Sequence, residues 1–155
     1  MSDDVKSRLK AKGLTLPSAP AAVANYVPYC VVGDLLYISG QISKAADGSL
    51  IAGKLGADLT VEQGMEAAAA CALNILAQTN AAVRDLNRIA QLVRITGYVN
   101  ATPDFTDHPR VVNGASDLFV ELLGDAGRHT RAAVGVSSLP ANCAVEIDAI
   151  VRIKD

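Results

Sequence analysis

Apolar residues recur along this chain with two different periods, and the switch between them predicts the elements. Near the end, Val145, Ile147, Ala149, Val151 and Ile153 share one face of an extended segment, with Glu146, Asp148 and Arg152 on the other. Met65, Ala68, Ala69, Ala72, Leu73 and Leu76 recur instead at helical spacing behind a Thr60–Gln63 capping box. That pattern predicts a long helix whose small residues allow close approach to a sheet. Val112, Ala115, Leu118, Phe119 and Leu122 predict a second helix, opened by Thr106 or Asp107, with Pro109 in its first turn and Gly124 as its stop.

Val27–Val32 and Leu35–Ile42 read as strands around a tight Gly33-Asp34 turn, and Arg88–Val99 as a third strand. Arg131–Val136 and Ala144–Ile153 read as a closing antiparallel hairpin joined through Leu139-Pro140-Ala141-Asn142. Residues 2–12 read as a short amphipathic helix capped by Ser2 or Asp3, with Val5 and Leu9 on one face and Gly13 at its end. A Pro/Ala-rich stretch, 16–24, is expected to be extended, and 43–59 to be a loop with one short strand around 49–51. The order ββ-α-β-α-ββ predicts a single α+β domain over residues 1–155, with a mixed sheet and two long helices on one face. The other face then needs a different cover. On the last strand it carries Glu146, Asp148 and Arg152 beside Ala144 and Ile150, a mixture that suits a subunit interface or the lining of a site.

Composition narrows the class. Half of the residues are hydrophobic but only 4% are aromatic, with no Trp, so the core is built from Ala, Val, Leu and Ile. So apolar a small domain also points to surface covered by partner subunits. The net charge is −2 and the basic residues are scattered, which argues against nucleic acid as a partner. Cys30, Cys71 and Cys143 are odd in number and show no CxxC spacing, so they read as reduced, buried residues of a cytoplasmic protein with no disulfide or metal site. The charged N-terminus is no signal peptide, and no apolar run is long enough to span a membrane.

Two charged residues stand in otherwise apolar strands. Arg131 precedes Ala132, Ala133, Val134, Gly135 and Val136, small neighbours that leave room above a guanidinium for a ligand carboxylate. A surface or interface ion pair is the alternative. Glu146 could serve as a general acid/base or form a structural salt bridge. In a hairpin turning near Pro140, Glu146 lies opposite Gly135, roughly 13 Å along the strand from Arg131. A compact site using both would combine two subunits or span a cleft. Ser39 and Gly40 end a hydrophobic strand, where they could approach a ligand or form a bulge. Tyr26 either covers a pocket or packs, and Asn113 bonds either a ligand or nearby backbone. His108 and His129 read as solvated positions near a helix start and a loop.

Taken together, Ser18-Ala19-Pro20-Ala21-Ala22-Val23 with Tyr26, Tyr37-Ile38-Ser39-Gly40-Gln41-Ile42, Asn113, Arg131, Leu139-Pro140 and Val145-Glu146-Ile147-Asp148-Ala149-Ile150 resemble the Rid/YjgF-like family. The similarity covers 18–152, with 1–17 as an N-terminal helical extension. It implies a chorismate-mutase-like fold, a homotrimer with clefts between subunits, and cofactor-independent hydrolysis of enamine/imine intermediates such as 2-aminoacrylate to keto acids and ammonia. By that resemblance Arg131 grips the substrate carboxylate, the Ala133 backbone contacts the imine nitrogen and Glu146 positions water, while Tyr26, Ser39, Gly40 and Asn113 shape the pocket. The chain departs from the family at Ala24-Asn25 and Val27-Pro28 around the tyrosine and at Ala133, and it carries additional residues at 53–58 and 104–109. Those departures leave a small-carboxylate-binding protein without turnover as a second reading. The endoribonuclease label that the family also carries is a third, opposed by the acidic balance.

Overall fold

The computed structural model describes residues 4–155. Helix α1 (Val5–Ala11) is capped by Asp4, whose side chain accepts from the Ser7 amide at 2.7 Å. Ser2 and Asp3 lie outside the described residues. Val5 and Leu9 are buried, as their spacing predicts, and Arg8 donates to the Leu122 carbonyl at 3.1 Å. Strands β1 (Tyr29–Val32) and β2 (Leu35–Ile42) form the first hairpin. The long helix α2 (Val61–Val83) begins at the reciprocal Thr60–Gln63 box. Strand β3 (Ile89–Asn100), helix α3 (His108–Leu123), strand β4 (Thr130–Val136) and strand β5 (Val145–Ile153) complete the chain.

The five strands lie in the order β1-β2-β5-β3-β4. This corrects the closing hairpin: β4 and β5 do not pair. Strand β4 runs parallel to β3, and β5 lies antiparallel between β2 and β3. A parallel neighbour needs a crossover, and α3 supplies it between β3 and β4. The 137–144 connection then carries the chain past the end of β3, where the Asn100 amide bonds the Ala144 carbonyl and the Ala101 amide bonds that of Val136, at 2.9 and 3.1 Å. Ala141 and Asn142 both have positive φ in that passage, a turn shape that apolar patterning does not signal.

Helices α2 and α3 pack on one face of the sheet. The core lies between the layers, from Leu36, Ile95, Val99, Ile147 and Val151 to Ile75, Leu76, Val112, Phe119 and Leu122. Small residues bring the layers together. A Cβ on Gly114 would stand 2.1 Å from the Met65 carbonyl oxygen, so α3 crosses α2 at a backbone contact. On Gly97 of β3, a Cβ would meet the Val112 methyls at 2.6 Å. Among the described residues no helix covers the opposite face of the sheet, where Tyr37 and Val134 are each 41% exposed.

Among the described residues no helix is long and apolar enough to cross a membrane. Cys71 and Cys143 are buried as expected, but Cys30 is exposed, because it lies on the edge strand β1.

The α2–α3 contact makes a stability prediction. Gly114→Ala should gain about 1 kcal/mol of helix propensity but lose about 1–3 kcal/mol or more to overpacking, since a backbone carbonyl cannot rotate away as a side chain can. A lowered denaturant midpoint at unchanged m-value is expected. An equal or higher midpoint would contradict the packing described here.

Candidate functional site

The register across β3 decides how the predicted residues relate. Arg131 pairs with Ile95, which pairs with Ala149; both apolar residues are buried under the helices. Glu146 pairs with Tyr98, which also pairs with Val134. Ile95 and Tyr98 are three residues apart on a strand of period two, so the two rows point to opposite faces of the sheet. Arg131 faces α3, donating to Ser116 Oγ at 3.1 Å and to the Pro109 carbonyl at 3.2 Å. Glu146 faces away from the helices. Within one chain they are two strands and three residues apart, roughly 14 Å between backbones, with the sheet between their side chains. The sequence left open a two-subunit site or one cleft with the two residues at its ends. The separation comes from the β3 register, not from a β4–β5 hairpin, and puts the sheet between the two side chains.

Five of the predicted residues line two separate depressions. Tyr26, Gly40 and Glu146 line a depression of about 360 Å3, walled by Pro20, Ala21, Ala22 and Val23 of the extended segment and by Pro140. Its floor comes from a β-bulge. Ile38 pairs with Ala149 and Gln41 with Ile147, so Ser39 and Gly40 stand opposite Asp148 alone. A Cβ on Gly40 would meet Glu146 Oε1 at 2.8 Å. Of the two readings of this segment, the register shows the bulge, and it sets Gly40 against the Glu146 carboxylate. Ser39 itself is used locally, donating through Oγ to the Val27 carbonyl at 2.8 Å.

Asn113 and Arg131 line the second depression, about 300 Å3, with Ser116, Asp117, Arg128 and His129. His129 is not solvated as expected. It is half-buried, with Nε2 2.9 Å from Ser116 Oγ and Nδ1 2.6 Å from the Gly127 carbonyl. His108 is likewise packed, edge-on to Phe105 and over Gly135. Ala133, on β4 opposite Gly97, is partly buried against the core and lies outside both depressions. A further depression of about 520 Å3, lined by Lys54, Thr102, Phe105, His108 and Ser137, holds none of the predicted residues. Reading the sequence missed Ser116 and the role of His129, because they meet only when α3 folds over β4.

Electrostatics separate the two depressions. Burial raises the Glu146 carboxyl above the usual carboxylate range, and Asp148 beside it adds to the effect. Burial lowers the His129 imidazole, the Gly127 carbonyl opposes this and the Arg131 charge reinforces it. Among the described residues no group of three or more His, Cys, Asp or Glu side chains is arranged to hold a metal.

Comparison with known proteins gives consistent matches. A family model described as "YjgF/chorismate_mutase-like, putative endoribonuclease" matches residues 6–151. Protein TCP17 of Trypanosoma cruzi is 44% identical over 155 residues, covering 99% of this chain and 97% of TCP17. The crystal structure of Atu1372 from Agrobacterium tumefaciens, described as of unknown function, is 46% identical with a TM-score of 0.91, covering 99% and 96%. RidA from the Antarctic bacterium Psychrobacter is 29% identical with a TM-score of 0.60, covering 88% and 94%. The backbone thus follows Atu1372 closely and RidA more loosely.

The raised Glu146 carboxyl makes a prediction with a definite sign. A carboxyl whose pKa is higher in the folded state favours folding most while protonated, and that contribution is lost as pH rises through the folded pKa. Glu146→Gln should therefore melt higher than wild type at pH 7, with the difference shrinking as pH falls toward the ordinary carboxylate range. A lower melting temperature at pH 7 would mean that the carboxylate has a stabilising partner.

Proposed function

We propose, for a chain that belongs to the YjgF/RidA-like family, that it hydrolyses small carboxylate-bearing enamines or imines of the 2-aminoacrylate type to keto acids and ammonia. The site would lie in a cleft between copies of the chain. The observation that carries this reading is the division of the site: Arg131 and Asn113 line one depression, Tyr26, Gly40 and Glu146 another, with the sheet between them. Within one chain, neither depression brings Arg131 and Glu146 together. A neighbouring copy docked on the uncovered sheet face would join them, and a homotrimer closes such a contact around one axis.

In that cleft Arg131 pairs with the substrate carboxylate through N–H groups not already given to Ser116 and Pro109. Glu146, whose burial favours the protonated form, gives its proton to the imine nitrogen or, in the enamine, to the terminal carbon. The resulting carboxylate then takes a proton from water as its oxygen bonds the imine carbon. Collapse of the carbinolamine breaks the C–N bond, releasing ammonia and forming the keto acid. Every proton is accounted for by Glu146 and water, so the reaction needs no cofactor. Tyr26 closes the apolar wall over the reacting carbon.

The test is ammonia and keto-acid release from 2-aminoacrylate generated enzymatically in the assay, together with the sedimentation mass of the protein. The expectation is a trimer whose rate falls about 10²-fold or more in Arg131→Ala, corresponding to loss of a charge-assisted anchor. Equal rates in wild type and variant would remove the proposal. Arg131-dependent stabilisation by small carboxylates without turnover would select the non-catalytic binding reading instead.

A further inference from the structure

The Arg131 depression holds a group of side chains that the proposed reaction does not use. Ser116 lies on α3 on the same face as Asn113 and Val120, and His129 immediately precedes β4. Gly127 sits so close to α3 that a Cβ there would be 2.4 Å from the Phe119 carbonyl oxygen, which fixes the turn before β4. The carbonyl of that pinned residue is 2.6 Å from His129 Nδ1. Phe119 packs edge-on to the imidazole, with ring centres 6.0 Å apart.

These contacts determine the proton positions in the neutral ring. A carbonyl oxygen only accepts, so Nδ1 carries the hydrogen and donates to Gly127. Nε2 then has a lone pair, and its partner at 2.9 Å, Ser116 Oγ, must donate its hydroxyl hydrogen to it. On its other side, Ser116 Oγ accepts from Arg131 at 3.1 Å. A hydroxyl thus rests on a base held by a third group, with a fixed cation touching the oxygen that would become negative.

We infer that Ser116 and His129 form a nucleophile–base pair, giving this depression a second activity: acyl transfer from small esters or activated acyl compounds that also carry a carboxylate. Arg131 recognises the carboxylate. Ser116 Oγ attacks the acyl carbon as its proton passes to His129 Nε2. The bond to the leaving oxygen then breaks, and the proton on Nε2 goes to that oxygen. Water, losing a proton to the same imidazole, releases the acyl group as an acid and restores the Ser116 hydroxyl, which His129 reprotonates. The cycle is redox-neutral and consumes only the ester and water.

The probe is para-acetoxybenzoate, with phenyl acetate as its uncharged counterpart, and the readout is acetylation of Ser116 by peptide mass mapping together with phenol release. Full-length wild type should acetylate at Ser116, faster with the charged ester, and Arg131→Ala should abolish that preference. His129→Gln should slow acetylation about 10²-fold or more, the contribution expected of a positioned base. The rate should rise with pH as the imidazole loses its proton and level off at lower pH than for an exposed imidazole, because burial and Arg131 hold that ring below its ordinary value. The other charged groups lining the depression are Asp117 and Arg128, and Asp117→Asn should leave the plateau in place. Acetylation confined to lysines, equal phenol release by folded Ser116→Ala, or a rate indifferent to His129→Gln would overturn the inference. Should Ser116→Ala lose its helical circular dichroism, the acetylation map of wild type decides alone. No imine enters this assay, so its outcome is independent of whether the chain hydrolyses imines.

Discussion

The contact on which the rest depends is the close crossing of α2 and α3 over the sheet. Gly114 meets the Met65 carbonyl and Gly97 meets Val112, at distances that leave no space for a Cβ. With its helix so close to the strands, β4 presents Arg131 directly to α3, and the guanidinium is held by Ser116 and Pro109. The same crossing brings Ser116 over His129. Among the described residues nothing comparable covers the other face. Glu146, Asp148 and Tyr98 stand there beside Tyr37 and Val134, with Tyr98 donating to Asp148 at 3.3 Å. A sheet dressed on one side only divides one set of functional residues into two populations, and that division motivates an intersubunit site.

The outline of this fold was legible because periodicity and punctuation agree. Thr60 and Gln63 start α2, Gly124 ends α3, and the alternation in 145–153 gives β5 and its two faces. Strand pairing was less legible. A short polar turn between two apolar strands suggests a hairpin, whereas here residues 137–144 carry the chain across the end of β3. What stabilises that passage is non-local: the Ser43 hydroxyl accepts from the Ala144 and Val145 amides, and the Asn100 amide donates to Asn142 and the Cys143 carbonyl. Each of these polar residues, read singly along the chain, resembles a loop residue.

The candidate site divides in the same way. Arg131 and Glu146 stand out in sequence because a charge inside a β-branched or small-residue strand needs a reason. Gly40 acquires its meaning from the bulge, one of two readings its sequence allows, which the register places opposite Asp148 and beside Glu146. His129 and Ser116 are thirteen residues apart and joined by a turn, so no local pattern announces their hydrogen bond. The similarity to TCP17 and Atu1372 runs almost end to end, while RidA shares the fold with larger displacements.

The most direct test of the central claim is subunit complementation. Arg131→Ala and Glu146→Gln proteins, each inactive alone toward 2-aminoacrylate, are unfolded together, refolded as mixed oligomers and assayed. If each site takes its arginine and its glutamate from different copies, random mixing in equal amounts rebuilds about a quarter of the sites, with activity to match. If both residues serve one site from one chain, every mixed oligomer stays inactive, and the division of the site by the sheet would not have the meaning given to it here.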